Sequence, residues 1–368
     1  MRIDPERGLW VRAPTPLGDF LAAEPALRAL AHAFKERGLP GALSITAPAR
    51  MASLVESHLC GARILPSELE GRELVARLHG TGAALLFAGS FRSAWTAMRA
   101  RIPVRVGLSR DGRGLLLTDP IRPALERGRT PLELGVRGRS PRILPRPGAA
   151  TYAELLGAIG VPLRDRRPRL AASPEVIGAV GERLVACGLD PGLPFLCASI
   201  GGATGAVAKS PPIATWVALL ERIWGELGWP ILLVPGPGDE GVARAIGDRL
   251  GPGIAKRMGD RAPDLEQLAA ILARSAAVLT GDTGPRHVAR AVGTPAVVLI
   301  GSTDPRHTAL GLGRERVLGT QLACAPCHRS VCPRATAPGT GAGSDGADRE
   351  CLTSLEPERA LGALAQLL

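Results

Sequence analysis

Asp282, Thr283 and Gly284 form the part of the sequence best suited to bind a phosphate group. The apolar run 276–279 predicts a short strand before them, and 285–292 predicts a helix after them. A helix N-terminus offers unpaired backbone N–H groups and a partial positive charge, and a glycine there lets a ligand come close. An ordinary capped helix remains the alternative, because Asp and Thr are common N-cap residues.

Two further side chains have the chemistry of a group transfer. Asp19 and Gly18 lie in the predicted turn after the first strand, where a carboxylate can act as the general base that removes a proton. The alternative for Asp19 is an N-cap for a helix starting at Leu21. Lys209 follows a glycine-rich loop, and its ammonium group can donate to a phosphate oxygen. Taken alone, Lys209 is better explained by a solvated surface position.

The spacing Gly236-Pro-Gly-Asp-Glu-Gly241 fits the G-x-G-x-x-G pattern of dinucleotide-binding loops. It follows a predicted strand and precedes a predicted helix, but no acidic residue closes a following strand. An NAD-dependent oxidoreductase is therefore a less favoured alternative, since it leaves Asp19 and Asp282 unexplained. His287, one turn into its helix, could touch a phosphate or pack against neighbours, and the sequence leaves both open.

Length and composition narrow the class of protein. A chain of 368 residues with 45% hydrophobic content is long enough for two domains, each with its own core. No apolar run is long enough to cross a bilayer, and the first twenty residues lack an apolar signal region. We therefore expect a cytoplasmic protein, in which the seven cysteines do not form a disulfide framework.

Positive charge is concentrated between residues 92 and 146. This stretch has 13 Arg against four acidic residues, which gives 13 − 4 = +9. Such a stretch could meet nucleic acid, an anionic membrane or a phosphorylated substrate. Aromatic residues that stack on bases are scarce there, so we expect no nucleic-acid partner and favour a membrane surface. A solvated face produced by composition alone remains the alternative.

Strand-like and helix-like segments alternate along the chain, which is typical of an α/β fold with parallel sheets covered by helices. A charged, proline-containing linker near 164–173 separates two such sets, and it predicts domains at 1–172 and 173–368. Ligands of these folds bind at the carboxyl ends of strands, so we expect the active site in the cleft between the domains. The predicted elements include strands at 43–47, 104–108 and 231–235, helices at 213–227, 240–250 and 264–273, and irregular chain at 110–148.

Four blocks in the expected order resemble glycosyltransferase family 9, the lipopolysaccharide heptosyltransferases, and most closely its heptosyltransferase II branch. They are 16–30 with its Gly-Asp pair, 89–119, 200–209 ending in Lys209, and 282–305 with Asp-Thr-Gly and Ser-Thr-Asp-Pro. The resemblance implies a GT-B type fold, with two Rossmann-like domains whose parallel sheets face each other across a cleft. It also implies a nucleotide-sugar donor and inversion at the anomeric carbon.

The resemblance also implies a role for each candidate residue. Asp19 would be the general base, and Lys209 with the Thr283 and Gly284 amides would hold the diphosphate leaving group. Asp282 would accept hydrogen bonds from donor-sugar hydroxyls, and Asp239 or Glu240 would bind the donor ribose. Metal is not expected in this chemistry, because no convincing Asp-X-Asp motif is present. The sequence departs from the family at Lys209-Ser-Pro-Pro212, where Lys-Arg-Trp-Pro is usual.

The expected activity is therefore transfer of a heptose, or a related sugar, from an ADP-sugar to an inner-core lipopolysaccharide-type acceptor. The first domain would bind this lipid-linked saccharide at the inner membrane surface, the second would bind the donor, and no cofactor is essential. A non-catalytic paralogue that binds a saccharide or an anionic surface is the alternative.

The carboxyl-terminal segment carries four further cysteines and a final predicted helix. Cys324, Cys327, Cys332 and Cys351 resemble a terminal element of heptosyltransferase II relatives. They could hold a structural zinc ion, form two disulfides or remain free, and all three stay open. We expect the final helix, 355–368, to pack back across the linker.

Overall fold

The computed structural model describes residues 3–123, 146–201, 207–308, 314–332 and 349–368. The chain divides into two compact units. The first contains Met1–Pro168 and Arg306–Leu310, and the second contains Arg169–Pro305 and Gly311–Leu368. The division falls slightly before the predicted boundary at 172/173, and the assignment of a short later segment to the first unit was not predicted.

In the described residues, the first unit is built on a six-stranded parallel sheet. Its strands are β1 (Leu9–Arg12), β2 (Leu43–Ala47), β3 (Arg63–Pro66), β4 (Ala83–Leu86), β5 (Val104–Leu108) and β6 (Asp119–Ile121), in the order β3-β2-β1-β4-β5-β6. Its helices are α1 (Leu17–Lys35), α2 (Ala49–Ala52), α3 (Gly71–Arg77), α4 (Phe91–Arg99) and α5 (Gly148–Ala158).

The second unit repeats this plan. Its strands are β7 (Leu196–Ile200), β8 (Ile231–Pro235), β9 (Ala255–Lys256), β10 (Ala277–Gly281), β11 (Ala296–Ile300) and β12 (Glu315–Gly319), all parallel and in the order β12-β11-β10-β7-β8-β9. Its helices are α6 (Pro174–Ala186), α7 (Ile213–Leu227), α8 (Glu240–Leu250), α9 (Leu265–Arg274), α10 (Gly284–Val292), α11 (Glu350–Thr353) and α12 (Pro357–Ala365).

The central strands form because their residues are apolar almost without interruption. All residues of β2, β4, β7, β10 and β11 are buried, as expected for parallel strands covered by helices on both faces. Numbered within its own unit, each sheet has the strand order 3-2-1-4-5-6, the doubly wound order of Rossmann folds. The order reverses between β1 and β4 in one unit and between β7 and β10 in the other, where such folds bind ligands.

Most predicted elements agree with the structure, but three details differ. Helix α1 begins at Leu17 rather than Leu21, so the turn that precedes it is shorter than predicted. Part of the stretch predicted as irregular forms β6, while residues 124–145 lie outside the described part of the chain. The final helix packs on α7, β11 and β12, and its Ala360, Ala363 and Leu364 belong to the second unit's core, whereas we expected a return across the linker.

None of the helices in the described ranges is long and apolar enough to cross a membrane.

Candidate active site

The carboxyl ends of β7 and β10 lie side by side at the switch point of the second sheet. Gly281 ends β10, and a Cβ atom on it would lie 2.9 Å from the carbonyl oxygen of Lys209 and 3.9 Å from that of Gly201. Gly201 follows β7 with φ +145°, a conformation that favours glycine. Two glycines thus let the segment carrying Lys209 come within contact of the sheet edge, which brings this lysine to the end of β10.

The N-terminus of α10 begins at this same edge without a side-chain cap. Thr283 occupies the N-cap position, but its side chain accepts no hydrogen bond from the helix. The Thr283 N–H donates to the carbonyl oxygen of Gly281 at 2.9 Å, and Pro285, which lacks an N–H, lies in the first turn. The ordinary side-chain cap, which was the alternative to a phosphate site, is therefore not formed. The start of α10 carries the partial positive charge of a helix N-terminus, which suits an anion.

Asp282 is held by two side-chain donors. Arg286 Nη1 donates to Oδ1 at 2.6 Å, and Thr303 Oγ1 donates to Oδ2 at 2.6 Å. Burial alone would raise the pKa of Asp282, but the Arg286 charge and the Thr303 hydrogen bond outweigh it, so this pKa lies below its ordinary value. Asp282 is thus an ionised carboxylate that is only 8% exposed.

Arg286 connects Asp282 to the edge strand β12. Its Nε and Nη2 atoms donate to the two oxygens of Glu315, at 2.9 and 2.6 Å, and Arg290 Nη2 donates to Glu315 Oε2 at 2.8 Å. Sequence reasoning missed Arg286, Thr303 and Glu315. The i,i+4 spacing of Asp282 and Arg286 was a visible signal, whereas the approach of Glu315 depends on the sheet.

His287 is neutral at physiological pH. Burial and the charges of Arg290 and Arg286 lower its pKa to about 4. A neutral imidazole can donate a hydrogen bond to a phosphate oxygen, but it brings no positive charge. Of the two roles left open by the sequence, packing is unaffected, and contact with a phosphate is limited to such a hydrogen bond.

Asp239 precedes α8 and Glu240 is its first residue, and their side chains make different contacts. Asp239 is 6% exposed, and a Cβ on Gly236 would lie 3.2 Å from its Oδ2. Its side chain therefore lies against the loops that follow β7 and β8. Burial, with a smaller contribution from Glu240, raises the pKa of Asp239 to about 6. Glu240 instead accepts a hydrogen bond from the Gly238 N–H at 2.9 Å. Of the two carboxylates, Asp239 is therefore the better placed for a ligand at the ends of β7 and β8.

The half-buried Lys209 ends the 3-10 turn Val207–Lys209. The N–H of its neighbour Ala208 donates to the carbonyl oxygen of Ser330 at 3.0 Å, which ties this turn to the segment that follows β12. The preceding part of the predicted glycine-rich loop, 202–206, lies outside the described residues.

In the first unit, Asp19 and Gly18 lie in the first turn of α1 rather than in a preceding turn. Pro16 is the N-cap, so Asp19 does not have the N-cap position that was its alternative. The side chain of Asp19 is exposed, but nearby protein partly desolvates it and raises its pKa. The Asp19 charge contributes to the raised pKa of Tyr152, whose ring packs on Phe87 at the end of β4. Asp19 therefore lies close to the first sheet's switch point.

The side chains of the arginine-rich stretch are not all exposed to solvent. Arg113 is fully buried, and its Nε and Nη1 atoms donate to the carbonyl oxygens of Leu108 and Ala88 at 2.7 and 2.6 Å. Arg105 donates to the carbonyl oxygens of Leu116 and Ile102 at 2.7 and 2.6 Å. These two arginines hold the fold together, because each binds backbone carbonyls at the ends of neighbouring elements.

An exposed apolar group lies in the same part of the first unit. Phe91 and Trp95, on α4, are 49% and 44% exposed and stack with ring centroids 6.5 Å apart. Leu115 is 95% exposed on the 3-10 turn Arg113–Leu116, which packs against α4. The exposed Arg99 and Arg101 follow at the end of the same helix.

No disulfide joins the four carboxyl-terminal cysteines in the part of the chain that the structure describes, and their thiols influence one another. Burial, and the nearby Cys332, Cys324 and Cys327, raise the pKa of Cys351 to about 11. The described thiols are therefore close enough to interact electrostatically.

Comparison with known sequences gives two matches. Residues 193–337 match the model of glycosyltransferase family 9 (heptosyltransferase). Over 161 residues, the chain is 32% identical to lipopolysaccharide heptosyltransferase 1 of Pseudomonas aeruginosa. That alignment covers 43% of this chain and 43% of the relative, so it spans less than half the length of the curated protein.

Solved structures resemble nearly the whole chain. ADP-heptose lipopolysaccharide heptosyltransferase II of Escherichia coli has a TM-score of 0.69 at 21% identity, and the match covers 98% of both chains. Heptosyltransferase WaaC of E. coli, solved with ADP-2-deoxy-2-fluoro heptose, has a TM-score of 0.56 at 18% identity and covers 84% of this chain and 92% of its own. These likenesses establish the fold, which is the predicted GT-B type with two Rossmann-like units. Residues 193–337, which match the family model, are similar to glycosyltransferase family 9, in agreement with the resemblance drawn from the sequence.

Proposed function

We propose that this protein is an inverting glycosyltransferase that moves a heptose, or a related sugar, from an ADP-sugar to an inner-core lipopolysaccharide-type acceptor. An acceptor hydroxyl gives its proton to Asp19 while its oxygen bonds to the anomeric carbon of the donor. The bond from that carbon to the diphosphate breaks on the opposite face, and ADP leaves. The observation that carries the proposal is the uncapped start of α10 beside Lys209, at the switch point of the second sheet.

The second unit supplies the donor groups. The Gly284 N–H, the positive end of the α10 dipole and the ammonium of Lys209 stabilise the negative charge that develops on the diphosphate. The Thr283 N–H donates to the Gly281 carbonyl oxygen instead, so it is not a ligand as expected from the sequence. Asp239 accepts hydrogen bonds from the ribose, and Asp282 accepts them from the sugar. The names of relatives support this donor, since the P. aeruginosa protein is a lipopolysaccharide heptosyltransferase and the WaaC structure was solved with an ADP-heptose analogue.

The first unit supplies the base and positive charge for an acidic acceptor. Partial desolvation raises the pKa of Asp19, which makes it a stronger base than an ordinary carboxylate. Arg12 ends β1, and Arg92 lies in the first turn of α4, where its Nη1 lies 2.8 Å from Glu70 Oε2. The sequence analysis gave Arg12 no role and counted Arg92 only within the positively charged stretch. Such residues suit the carboxylates and phosphates of inner-core sugars.

The donor assignment is tested by titrating ADP into the wild type and into Lys209→Ala and Gly284→Val variants. The first variant loses a charge, and the second blocks close approach to the backbone. Each should weaken ADP binding by about tenfold or more, the worth of one charge-assisted hydrogen bond. Lys35→Ala, an exposed lysine of the first unit, is the control. Unchanged affinity in both site variants would remove the donor site from this part of the sheet.

Transfer itself is tested by incubating the protein with ADP-heptose and a heptose-free inner-core lipid acceptor and measuring ADP release with product formation. A non-catalytic paralogue would bind either compound but release no ADP. Tight NAD binding without ADP-sugar binding would instead favour the oxidoreductase alternative. The presence of both Asp19 and Lys209 favours the transferase.

The lipid-linked acceptor implies a membrane surface, and we assign this contact to Phe91, Trp95 and Leu115. Aromatic and aliphatic side chains of this kind insert at the bilayer interface, while Arg99 and Arg101 attract anionic head groups. The protein would then bind peripherally at the inner, cytoplasmic face.

A structural zinc ion is a further part of the proposal. Cys324, Cys327, Cys332 and Cys351 fit the donor set of such a site, because zinc prefers four thiolates and would relieve their mutual repulsion. Elemental analysis of the purified protein beside a Cys351→Ser variant tests this. One zinc per chain that is lost in the variant would support the site, and a metal-free wild type with four titratable thiols would exclude it.

A further inference from the structure

Asp282 belongs to a largely buried cluster of charged side chains that also contains Arg286, Arg290 and Glu315. Arg286 is fully buried and bonds both Asp282 and Glu315, while Arg290 bonds only Glu315 within the cluster. Two guanidinium groups thus balance two carboxylates. Desolvating such charges is costly, so a cluster of this kind adds little net stability by itself.

Arg286 lies in the part of its helix where a positive charge is least favourable. It belongs to the first turn of α10, whose N-terminal end already carries partial positive charge. A helix selected for stability alone would have an acidic residue there. The position is explained by what Arg286 contacts, because from there one planar guanidinium joins Asp282 to the edge strand β12.

The contacts fix the orientation of the Asp282 carboxylate. Arg286 occupies one acceptor position of Oδ1, and Thr303 occupies one of Oδ2. A carboxylate oxygen can accept two hydrogen bonds, so each oxygen keeps one position for another donor. Glu315 holds Arg286 in turn through two parallel hydrogen bonds, which set the plane of its guanidinium.

We infer that Arg286 and Glu315 are positioning residues that orient Asp282 toward the hydroxyl groups of the donor sugar. This inference rests on the proposed function, in which Asp282 binds the sugar part of the donor. It assigns them no contact with the nucleotide. The two residues therefore affect recognition of the sugar and leave recognition of ADP unchanged.

The test compares Arg286→Lys with the wild type by titrating ADP and ADP-heptose separately. Lysine keeps the charge but cannot bridge Asp282 and Glu315 in one plane. We expect ADP-heptose binding to weaken on the order of tenfold, the worth of a charge-assisted hydrogen bond, while ADP binding stays within about twofold. In an Asp282→Asn background the same substitution should add almost nothing, because its effect passes through Asp282.

Arg290→Lys is the matched control, since Arg290 lies one turn further along α10 and bonds the same Glu315 without bonding Asp282. It should leave the ratio of the two affinities unchanged. If Arg286→Lys unfolds the protein, Glu315→Gln gives the same test. Glutamine has nearly the shape of glutamate but no charge and only one acceptor oxygen, so the paired hydrogen bonds that hold the Arg286 guanidinium are lost.

Two results would overturn the inference: equal weakening of ADP and ADP-heptose, or an Arg286→Lys effect that is the same with and without Asp282. A wild type that binds ADP but not ADP-heptose would contradict the proposed donor sugar, and a wild type that binds neither would contradict the proposed function itself.

Discussion

At the scale of single residues, the structure gives similar carboxylates different properties. Asp19 and Asp239 have raised pKa values because burial disfavours their charged form, whereas the pKa of Asp282 is lowered by Arg286 and Thr303. A base benefits from a raised pKa, and a fixed hydrogen-bond acceptor benefits from a lowered one. These differences agree with the roles proposed for Asp19 and Asp282.

Asp19→Asn should lower transfer by on the order of 10²–10⁴-fold, the usual contribution of a general base, while ADP binding is unchanged. In the wild type, kcat/KM should rise with pH through the raised pKa of Asp19, since only the ionised form accepts a proton. Rate measurements across pH, with the exposed Asp111→Asn variant as control, check both points. Turnover of Asp19→Asn within a few-fold of the wild type would show that another group is the base.

Asp239→Asn should stabilise the protein at pH 7.5 and weaken donor binding. The folded state binds the Asp239 proton more tightly than the unfolded state, because the pKa is about 6 rather than the ordinary value near 4. The free energy of unfolding therefore falls as pH rises from about 4 through 6, and the amide removes this loss. Thermal melts at pH 4 and 7.5 and ADP titrations measure the two effects.

Glu240→Gln is the control for Asp239, since Glu240 bonds the neighbouring Gly238 N–H instead of the sheet edge. If Glu240→Gln weakened ADP binding more than Asp239→Asn, the ribose would have to be assigned to Glu240.

At the scale of elements, strand ends and glycines build the candidate donor site. The end of β10 accepts the segment of Lys209 only because Gly281 has no Cβ, and the uncapped N-terminus of α10 follows two residues later. A methyl group at Gly281 would therefore displace the backbone of the Lys209 segment without changing any of its side chains.

Gly281→Ala should weaken ADP binding and lower the melting temperature, because its Cβ would lie 2.9 Å from the carbonyl oxygen of Lys209. Overpacking of this kind costs about 1–3 kcal/mol. Gly225→Ala on α7 is the control: no atom lies within 4 Å of its added Cβ, and it should be neutral or slightly stabilising. Calorimetry and thermal melts of both variants are the measurement, and equal behaviour of the two would argue against the close approach.

At the scale of the whole molecule, positive charge is distributed less simply than its abundance in the sequence suggests. Within the arginine-rich stretch, Arg113 is fully buried and the half-buried Arg105 bonds backbone carbonyls, so neither is the fully exposed side chain expected of a membrane contact. Arg99 and Arg101 are exposed, and so are the apolar side chains of Phe91, Trp95 and Leu115 in the same part of the unit. The sequence did not reveal this apolar part of the proposed membrane contact.

Trp95→Ser combined with Leu115→Ser should weaken association with anionic vesicles, and high salt should weaken it in the wild type, where each arginine contributes about 1 kcal/mol. Trp224→Ser is the matched control, since Trp224 is 37% exposed on α7 of the second unit. Vesicle co-sedimentation at low and high salt, beside a DNA-binding assay, is the measurement. DNA binding without vesicle binding would contradict the membrane contact.

The sequence by itself determined the α/β class, the alternation of elements and the central strands, whereas β3, β6, β9 and β12 were not predicted. Apolar runs such as those of β8 and β10 are local, and so is the Asp-Thr-Gly turn, so their structure follows from short-range chemistry. The blocks that resemble family 9 lie at these ends because loops after parallel strands carry ligand sites.

Only the tertiary structure decided how the candidate residues are held. The partner of Arg286 is Glu315, which lies far along the chain and comes near only because β12 adds to the edge of the sheet beside β11. The burial of Arg113, the neutral state of His287 and the inward direction of Asp239 depend likewise on neighbours from other elements. Desolvation and charge pairing act through space, and residue spacing along a chain does not encode which groups will meet.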